Sequence, residues 1–318
     1  MKNNYDKIIE TLKGAREIAV FCHISPDGDT IACALALFRA LNPLGKTVHL
    51  FSEDDIPEKY RFLEGWELFE KADKKRYELA VAVDCSDADR MGGGKRAFLA
   101  ATKRIAIDHH KSHSQFAHVT QVESDAAACA EIVCRILEQA GWVTDSVAEA
   151  LFVGLVADTG CFQFSSTTAE SHRIASMLMR YKIDAAQLVY LTYRRIPEKV
   201  FNLKKRVLSA CRFFDDGKIS LITFRRSDFD ETGTTSAETD GIIDAALEVA
   251  SVEVAFSVSE VADKNFKISV RTKDYVDASD LASTFGGGGH SRAAGCRLNG
   301  FYEDIVDKLL KAARDRLL

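Results

Sequence analysis

The chain alternates short runs that are apolar at every position with segments of helical period, and this alternation restricts the fold more than any other feature. Ile18 to Phe21, Leu79 to Val83 and Ile105 to Ile107 contain no polar residue. A strand wetted on one face alternates apolar and polar residues, whereas an unbroken apolar run is covered on both faces. Such strands belong to a parallel sheet packed between helices. Val48-His49-Leu50-Phe51 reads as a further strand. The expected helices lie between these runs. From about Thr30 to Leu41, Ile31, Leu35 and Phe38 recur at i, i+4, i+7. Glu131 to Ala140 is stopped by Gly141. Val147 to Ala157 is nearly all apolar and too long for a buried strand. Thr167-Thr168-Ala169-Glu170 has the spacing of a capping box before a helix to Met179.

The pattern changes between about Tyr181 and Gly217. Lys218 to Phe224, Val252 to Glu260 and Phe266 to Thr272 then follow as strands of period two. In the last of them Ile268 and Val270 face one way, and Lys267, Ser269 and Arg271 the other. A helix from Phe301 to Leu318 aligns Ile305, Leu309 and Ala312. A chain of 318 residues suits two domains.

Composition narrows the partners. No stretch reaches the length of a membrane span. The first residues show a helical stripe of Ile8, Ile9 and Leu12 rather than a continuous apolar core, so a cytoplasmic protein is expected. The eight cysteines form no CxxC pair, and most lie in or beside apolar runs, which suits free thiols in a reducing compartment. Net charge is −5, and from Ile196 onward 18 Lys and Arg face 20 Asp and Glu. Long duplexes are bound through many phosphate contacts, so no long-duplex partner is expected.

The residues that end the apolar runs carry the chemistry. Ile105 to Ile107 leads into Asp108-His109-His110, and Ile18 to Phe21 into His23-Ile24-Ser25-Pro26-Asp27-Gly28-Asp29. Asp84 closes Leu79 to Val83, at the strand edge where α/β proteins bind ligands. Asp158 ends an apolar helix, where the helix dipole disfavours an acid unless a cation is near. Each has a plainer reading: Asp29-Thr30 as a helix cap, His23 as a bonded loop residue, Asp84 as a turn former, Asp158 as a solvated stop. Together they supply enough oxygen and imidazole ligands for two hard divalent ions. Mn²⁺ suits such a mixed set better than Mg²⁺. Gly286-Gly287-Gly288-Gly289, bracketed by Phe285 and His290, lets backbone N–H groups approach an anion or a base. Arg271 suits a terminal phosphate. Arg194 is a weaker substrate candidate that reads equally as a solvated surface residue, and Lys204-Lys205-Arg206 reads as a solvated helix face.

These motifs resemble the DHH/DHHA1 phosphoesterase family, and within it the nano-RNase and 3′-phosphoadenosine 5′-phosphate (pAp) phosphatase group. The likeness rests on His23-x2-Pro26-Asp27-Gly28-Asp29, Val83-Asp84-Cys85-Ser86, Asp108-His109-His110, Gly154-x3-Asp158-Thr159-Gly160-x-Phe162, Val270-Arg271-Thr272-Lys273, Val276-Asp277 and Phe285-Gly286-Gly287-Gly288-Gly289-His290-x2-Ala293-Ala294-Gly295. It departs from the family at Ala32 and Cys33, where Gly and Ser are frequent, and at Thr272, where Ser is usual.

The resemblance implies an α/β fold: a parallel-sheet DHH domain with helices on both faces over residues 1–185, a linker over 186–215, and a smaller mixed α/β DHHA1 domain over 216–318. It implies two Mn²⁺ ions, with Mg²⁺ as a substitute. His23 and Asp27 would hold one ion, Asp29, His109 and Asp158 the other, and Asp84 would bridge them. Asp108 would orient a histidine, and His110 would sit at the scissile phosphate. Arg271, Gly287, Gly288, Gly289, His290 and Arg194 would bind substrate across a cleft. A hydroxide held by the ions would attack the phosphorus of a short oligoribonucleotide or of pAp and release a 5′-mononucleotide. Cleavage of cyclic di-AMP or pApA, a manganese pyrophosphatase and a non-catalytic nucleotide sensor are the alternatives. No membrane partner is expected, and a homodimer is compatible with the sequence.

Overall fold

A computed structural model describes residues 4–239 and 241–318. The chain divides into two compact units at Arg195 and Ile196. The first unit holds β1 (Glu17–Phe21), β2 (Thr47–Phe51), β3 (Phe69–Glu70), β4 (Leu79–Val83), β5 (Lys103–Asp108) and β6 (Val119–Val122). They form one sheet in the order β3-β2-β1-β4-β5-β6, and every neighbouring pair is parallel. Its helices are α1 (Tyr5–Gly14), α2 (Gly28–Leu41), α3 (Lys95–Ala100), α4 (Cys129–Ala140), α5 (Asp145–Asp158), α6 (Ala169–Leu178) and α7 (Ala185–Val189).

The unbroken apolar runs are explained by two cores, one on each face of this sheet. Ile18, Val20, Leu79, Val81, Val83, Ile105 and Ile107 pack with α1, α2, α4, α5 and α6. Ala19, Phe21, Ala80 and Ala82 face the other way, against Phe51, Tyr77 and Phe98. Helix α2 is buried all round rather than along one stripe, because α4 and α5 cover its outer side. Its small residues Ala32, Cys33, Ala34 and Ala36 permit that close packing. The strand order reverses at β1, so its carboxyl end and that of β4 flank the point where such sheets bind ligands.

The second unit contains α8 (Glu198–Ser209), β7 (Arg212–Phe214), β8 (Ile219–Phe224), α9 (Arg226–Thr232), α10 (Ile242–Leu247), β9 (Val254–Ala262), β10 (Asn265–Thr272), α11 (Ala278–Ser283), β11 (Gly288–Gly289), β12 (Ala293–Asn299) and α12 (Tyr302–Arg314). The sheet runs β11-β12-β10-β9-β8-β7. Strands β8 and β9 are parallel and the other pairs antiparallel, so the sheet is mixed. Phe266, Ile268 and Val270 join the core under α11 and α12, which puts Arg271 on the opposite face.

Two expectations change in detail. The capping box before α6 is Thr168 with Ser171, not Thr167 with Glu170. Glu170 is held instead by Arg135 at 3.1 Å and Arg173 at 2.8 Å. Residues 186–215, read as a linker, hold most of α7, a π-helical turn over Tyr190–Arg194, all of α8 and β7. Arg206 of the basic run in α8 pairs with Asp228 and Glu231. No helix among the described residues is long and apolar enough to cross a membrane.

Candidate metal centre

The site is built from the segments that follow β1, β4 and β5 and from the end of α5. After β1 the chain turns through Ser25, whose φ is +53°, and Ser25 N–H donates to Asp54 at 2.6 Å. The turn ends at Asp27, the N-cap of α2. Asp27 Oδ1 accepts the N–H groups of Asp29 and Thr30 at 3.0 and 3.1 Å. Capping of this helix therefore falls to Asp27 rather than to Asp29 or Thr30. Its other oxygen, Oδ2, lies 3.4 Å from His23 Nε2.

Asp84 is the hub. It is 2 % exposed, and it leaves the strand with a φ of +58° while its N–H donates to Ile107 O at 2.9 Å. Asp is among the few residues with a side chain that tolerate this region. Asp84 Oδ2 is 3.5 Å from His23 Nε2, and Oδ1 is 3.4 Å from His109 Nε2 and 3.5 Å from His110 Nδ1. On the far side of His109, Asp158 Oδ2 stands 3.3 Å from Nε2.

Asp29 is wholly buried. Its oxygens accept the N–H groups of Cys129 at 2.5 Å and Ala130 at 2.9 Å, and Cys33 Sγ lies at 3.4 Å. Helix α4 has no side-chain cap of its own at Ala128, so Asp29 supplies one from α2. Close approach of α5 completes the arrangement. A Cβ on Gly154 would stand 2.9 Å from Asp29 Oδ1 and from Ala130 Cβ.

Among the described residues three ligand sets emerge: His23, Asp27 and Asp84; Asp29, His109 and Asp158; and Asp84, His109 and His110, each with its donor atoms within 4.8 Å of one another. The donor chemistry fits divalent ions. His23 Nδ1 lies 2.9 Å from Ile24 O, and His109 Nδ1 lies 3.1 Å from Ala126 O. With that ring N–H committed to a backbone carbonyl, a neutral imidazole turns the lone pair of Nε2 toward the carboxylates, the orientation of a metal ligand. Asp84 Oδ1 is buried and accepts no hydrogen bond among the described residues, which costs free energy unless a cation meets it.

The electrostatics show the same need for positive charge. Burial together with Asp158 and Asp84 pushes Asp29 well above the usual carboxylate range. Burial likewise raises Asp158 to about 6, against the pull of His109. Protons answer part of the need. Burial disfavours charge on His23, yet Asp27 and Asp84 push it up to about 10. Burial opposes charge on His109 as well, yet Asp158 and Asp84 push it further up. Against its own burial, Asp84 is held far down by His109 and His23.

Asp108 organises the neighbouring histidines. Its Oδ1 accepts His110 Nδ1 at 2.7 Å and the N–H of His109 at 2.8 Å. Oδ2 accepts His113 Nδ1 at 2.6 Å. Burial opposes the charge of Asp108, but His110 and His113 hold it down at about 2. His113, its side chain 3 % exposed, is a site residue that the sequence motifs did not single out. The only signal was its spacing, three residues after His110. Arg90 was also missed; its Nη2 lies 3.3 Å from His23 Nδ1.

The second unit carries the other candidates. Gly288 and Gly289 pair with Gly295 and Ala294, and Ala293 pairs with Arg271 on the opposite side of β12. Arg271 and the glycine loop thus stand roughly 10 Å apart, two strand spacings. The N–H groups of Gly286, Gly287 and His290 are taken by Ser283, Ala282 and Ala293. Gly288 is exposed, with open space where a Cβ would be. His290 is exposed, and Arg271 Nε lies 3.5 Å from Asp244. Arg194 is exposed in the first unit.

Comparison with known proteins adds an independent line. Residues 17–155 match the DHH family, N-terminal domain, and residues 219–317 match the DHHA1 domain. The chain is 31% identical to the bifunctional oligoribonuclease and PAP phosphatase NrnA of Thermus thermophilus, over 98% of this chain and 93% of that protein. Its identity to the protein of the same name from Bacillus subtilis is 23%, over 96% of each. In fold it is similar to an exopolyphosphatase-related protein from Bacteroides fragilis, with a TM-score of 0.91 at 23% identity, covering 98% of this chain and 96% of that one.

Proposed function

The chain belongs to the DHH/DHHA1 phosphoesterase family and is a hydrolase of phosphoester bonds, and from that premise we propose that it converts short oligoribonucleotides and 3′-phosphoadenosine 5′-phosphate to 5′-mononucleotides. The observation that carries the reading is the junction of two His/Asp ligand sets at the buried Asp84. The names of the full-length relatives support the choice of substrates.

We assign His23 and Asp27 to one divalent ion, Asp29, His109 and Asp158 to a second, and Asp84 to both. Mixed imidazole and carboxylate donors favour Mn²⁺, with Mg²⁺ as a substitute. When bound, such a pair of ions acidifies water and neutralises charge on phosphoryl oxygens. The chain's own residues do the rest. Asp108 fixes His110 through its Nδ1, so that Nε2 is left to meet the phosphoryl group and stabilise developing charge. Arg271 takes a terminal phosphate, for which a guanidinium has matching geometry. Exposed Gly288, with Gly287 and Gly289 beside it, admits the nucleotide close to the backbone, and His290 contacts it. Arg194 is assigned to the substrate backbone. The eight free cysteines suit a reducing compartment, which supports the cytoplasm as the place of action.

A chromatographic time course with Mn²⁺ tests this function. Its substrates are pAp, pApA, a pentanucleotide RNA, a twenty-nucleotide RNA, cyclic di-AMP and pyrophosphate. Fast release of mononucleotides from pAp and the shortest RNAs, with the long RNA spared, is the expected result. Turnover of pyrophosphate alone, or of cyclic di-AMP in preference to the short RNAs, would overturn it.

A further inference from the structure

Two exposed aromatic side chains are tied to the corner that carries Asp158, and the assignments above use neither. Directly after α5, Gly160, Cys161 and Phe162 adopt φ values of +57°, +55° and +65°. For residues other than glycine this region is strained, and it persists only where surrounding bonds impose it. Here they do. Thr159 Oγ1 donates to Leu155 O at 2.6 Å, Cys161 N–H to Val156 O at 2.9 Å, and Phe164 N–H to Thr159 O at 3.0 Å.

The corner seats one ring inward and one outward. Phe162 stacks on His172, with ring centres 5.0 Å apart, and packs on the core. Phe164 lies over Gly160 instead: three of its ring carbons are 2.5–2.6 Å from where a Cβ would stand. Only glycine leaves room for that ring, yet Phe164 remains 56% exposed. Tyr193 reaches the same corner from the π-helical turn. Its hydroxyl donates to Ala157 O at 2.7 Å, one residue before Asp158, and it is 43% exposed. Such π-turns occur frequently at functional positions.

We propose that Phe164, on the corner that the Tyr193 hydroxyl also holds, is a stacking platform for the nucleobase next to the scissile phosphate. This deepens the proposed function and rests on it. An aromatic face accepts any base, because every base has a π-face, and that suits an enzyme which must degrade RNA ends of any sequence. The platform also gives the centre a reason to prefer nucleotides over inorganic or sugar phosphates, since the metal ligands themselves recognise only phosphate.

The test compares wild type with Phe164→Ala and Phe164→Trp, using the full chain with Mn²⁺. The substrates are a diribonucleotide and counterparts lacking one base or the other. In wild type, removing the stacked base should raise KM roughly 10- to 100-fold, and Phe164→Ala should abolish that preference with kcat little changed. Phe164→Trp should keep the preference. Without metal, its added tryptophan emission should be quenched by 5′-AMP and not by ribose 5-phosphate. A purely structural role for Phe164 would alter all of these substrates alike. A base preference that survives Phe164→Ala, or equal quenching by the two ligands, would overturn the platform. Wild type that does not turn over the diribonucleotide would overturn the proposed function, and the quenching would still decide the stacking.

Discussion

Asp29 Oδ1 accepts the backbone N–H of Ala130 at 2.9 Å, joining the first turn of α2 to the first turn of α4 across 101 residues of sequence. One carboxylate thus serves both as a helix cap and as a proposed metal ligand. The two roles separate by substitution. Asp29→Asn keeps a side-chain carbonyl for one of the N–H groups, whereas Asp29→Ala leaves both without a partner inside the core. Loss of such a cap costs about 1–2 kcal/mol, and unpaired buried donors add to it. Both variants should lose hydrolysis, but only Asp29→Ala should lower the urea midpoint of the metal-free protein clearly. Equal midpoints would show that the cap contributes little.

Gly154 is the condition for that contact. A methyl group there would press on Asp29 Oδ1 and Ala130 Cβ, each 2.9 Å away, and on Ala32 Cβ at 3.1 Å. Overpacking of this kind costs about 1–3 kcal/mol. Gly154→Ala should therefore lower thermal stability and reduce turnover together, because α5 also carries Asp158. Retention of full activity with a lowered Tm would mean that the helices separate without moving the ligands.

His113 acts on His110 through Asp108. Its Nδ1 is 2.6 Å from Asp108 Oδ2, and its Nε2 is buried with no hydrogen-bond partner among the described residues. His113→Leu removes one of the donors that hold Asp108. Loss of partners in this outer position typically reduces metal affinity or activity about 10- to 100-fold. The loss should fall on kcat, with KM little changed, and His113→Asn should restore part of it. A rise in KM alone would place His113 outside the network that sets His110.

Much of this was legible in the chain. The all-apolar runs announced a sheet covered on both faces, and the cores formed by Val81 on one side and Ala82 on the other are the reason. The acids and histidines at the ends of β1, β4 and β5 pointed to one cluster, and they do gather, because parallel strands deliver their carboxyl ends to one edge. Less legible was anything that depends on contacts between segments far apart in sequence. Asp27 and Asp29 are alike on paper; Asp27 caps its own helix, and only the packing of α4 against α2 makes Asp29 the cap of a distant one. His113 escapes the motifs for a different reason: its partners Asp108 and Phe116 are only five and three residues away, but the stretch after β5 has no regular secondary structure whose period would mark a buried face. The linker expectation overlooked α8, although its stripe of Leu203 and Val207 closes over β8.

Metal binding should strengthen as pH rises. In the metal-free protein His23 is pushed up to about 10, so at neutral pH it carries a proton that a divalent ion must displace. His109 is raised in the same direction. A histidine with a raised folded-state pKa contributes stability that is complete below about 6.5 and is lost as pH climbs through the folded value. Asp158, raised to about 6, acts in the same sense at lower pH: its folded form binds a proton that the unfolded chain has released, so that contribution is lost between about pH 4 and 6. Through these groups the metal-free protein loses stability as pH rises from about 4 to 10. The increase in Tm on adding Mn²⁺ should accordingly be larger at pH 8.5 than at pH 6. Calorimetry in buffers of different ionisation enthalpy should show proton release on binding at pH 7. A Tm increase independent of pH, with no proton released, would mean that His23 and His109 are not ligands.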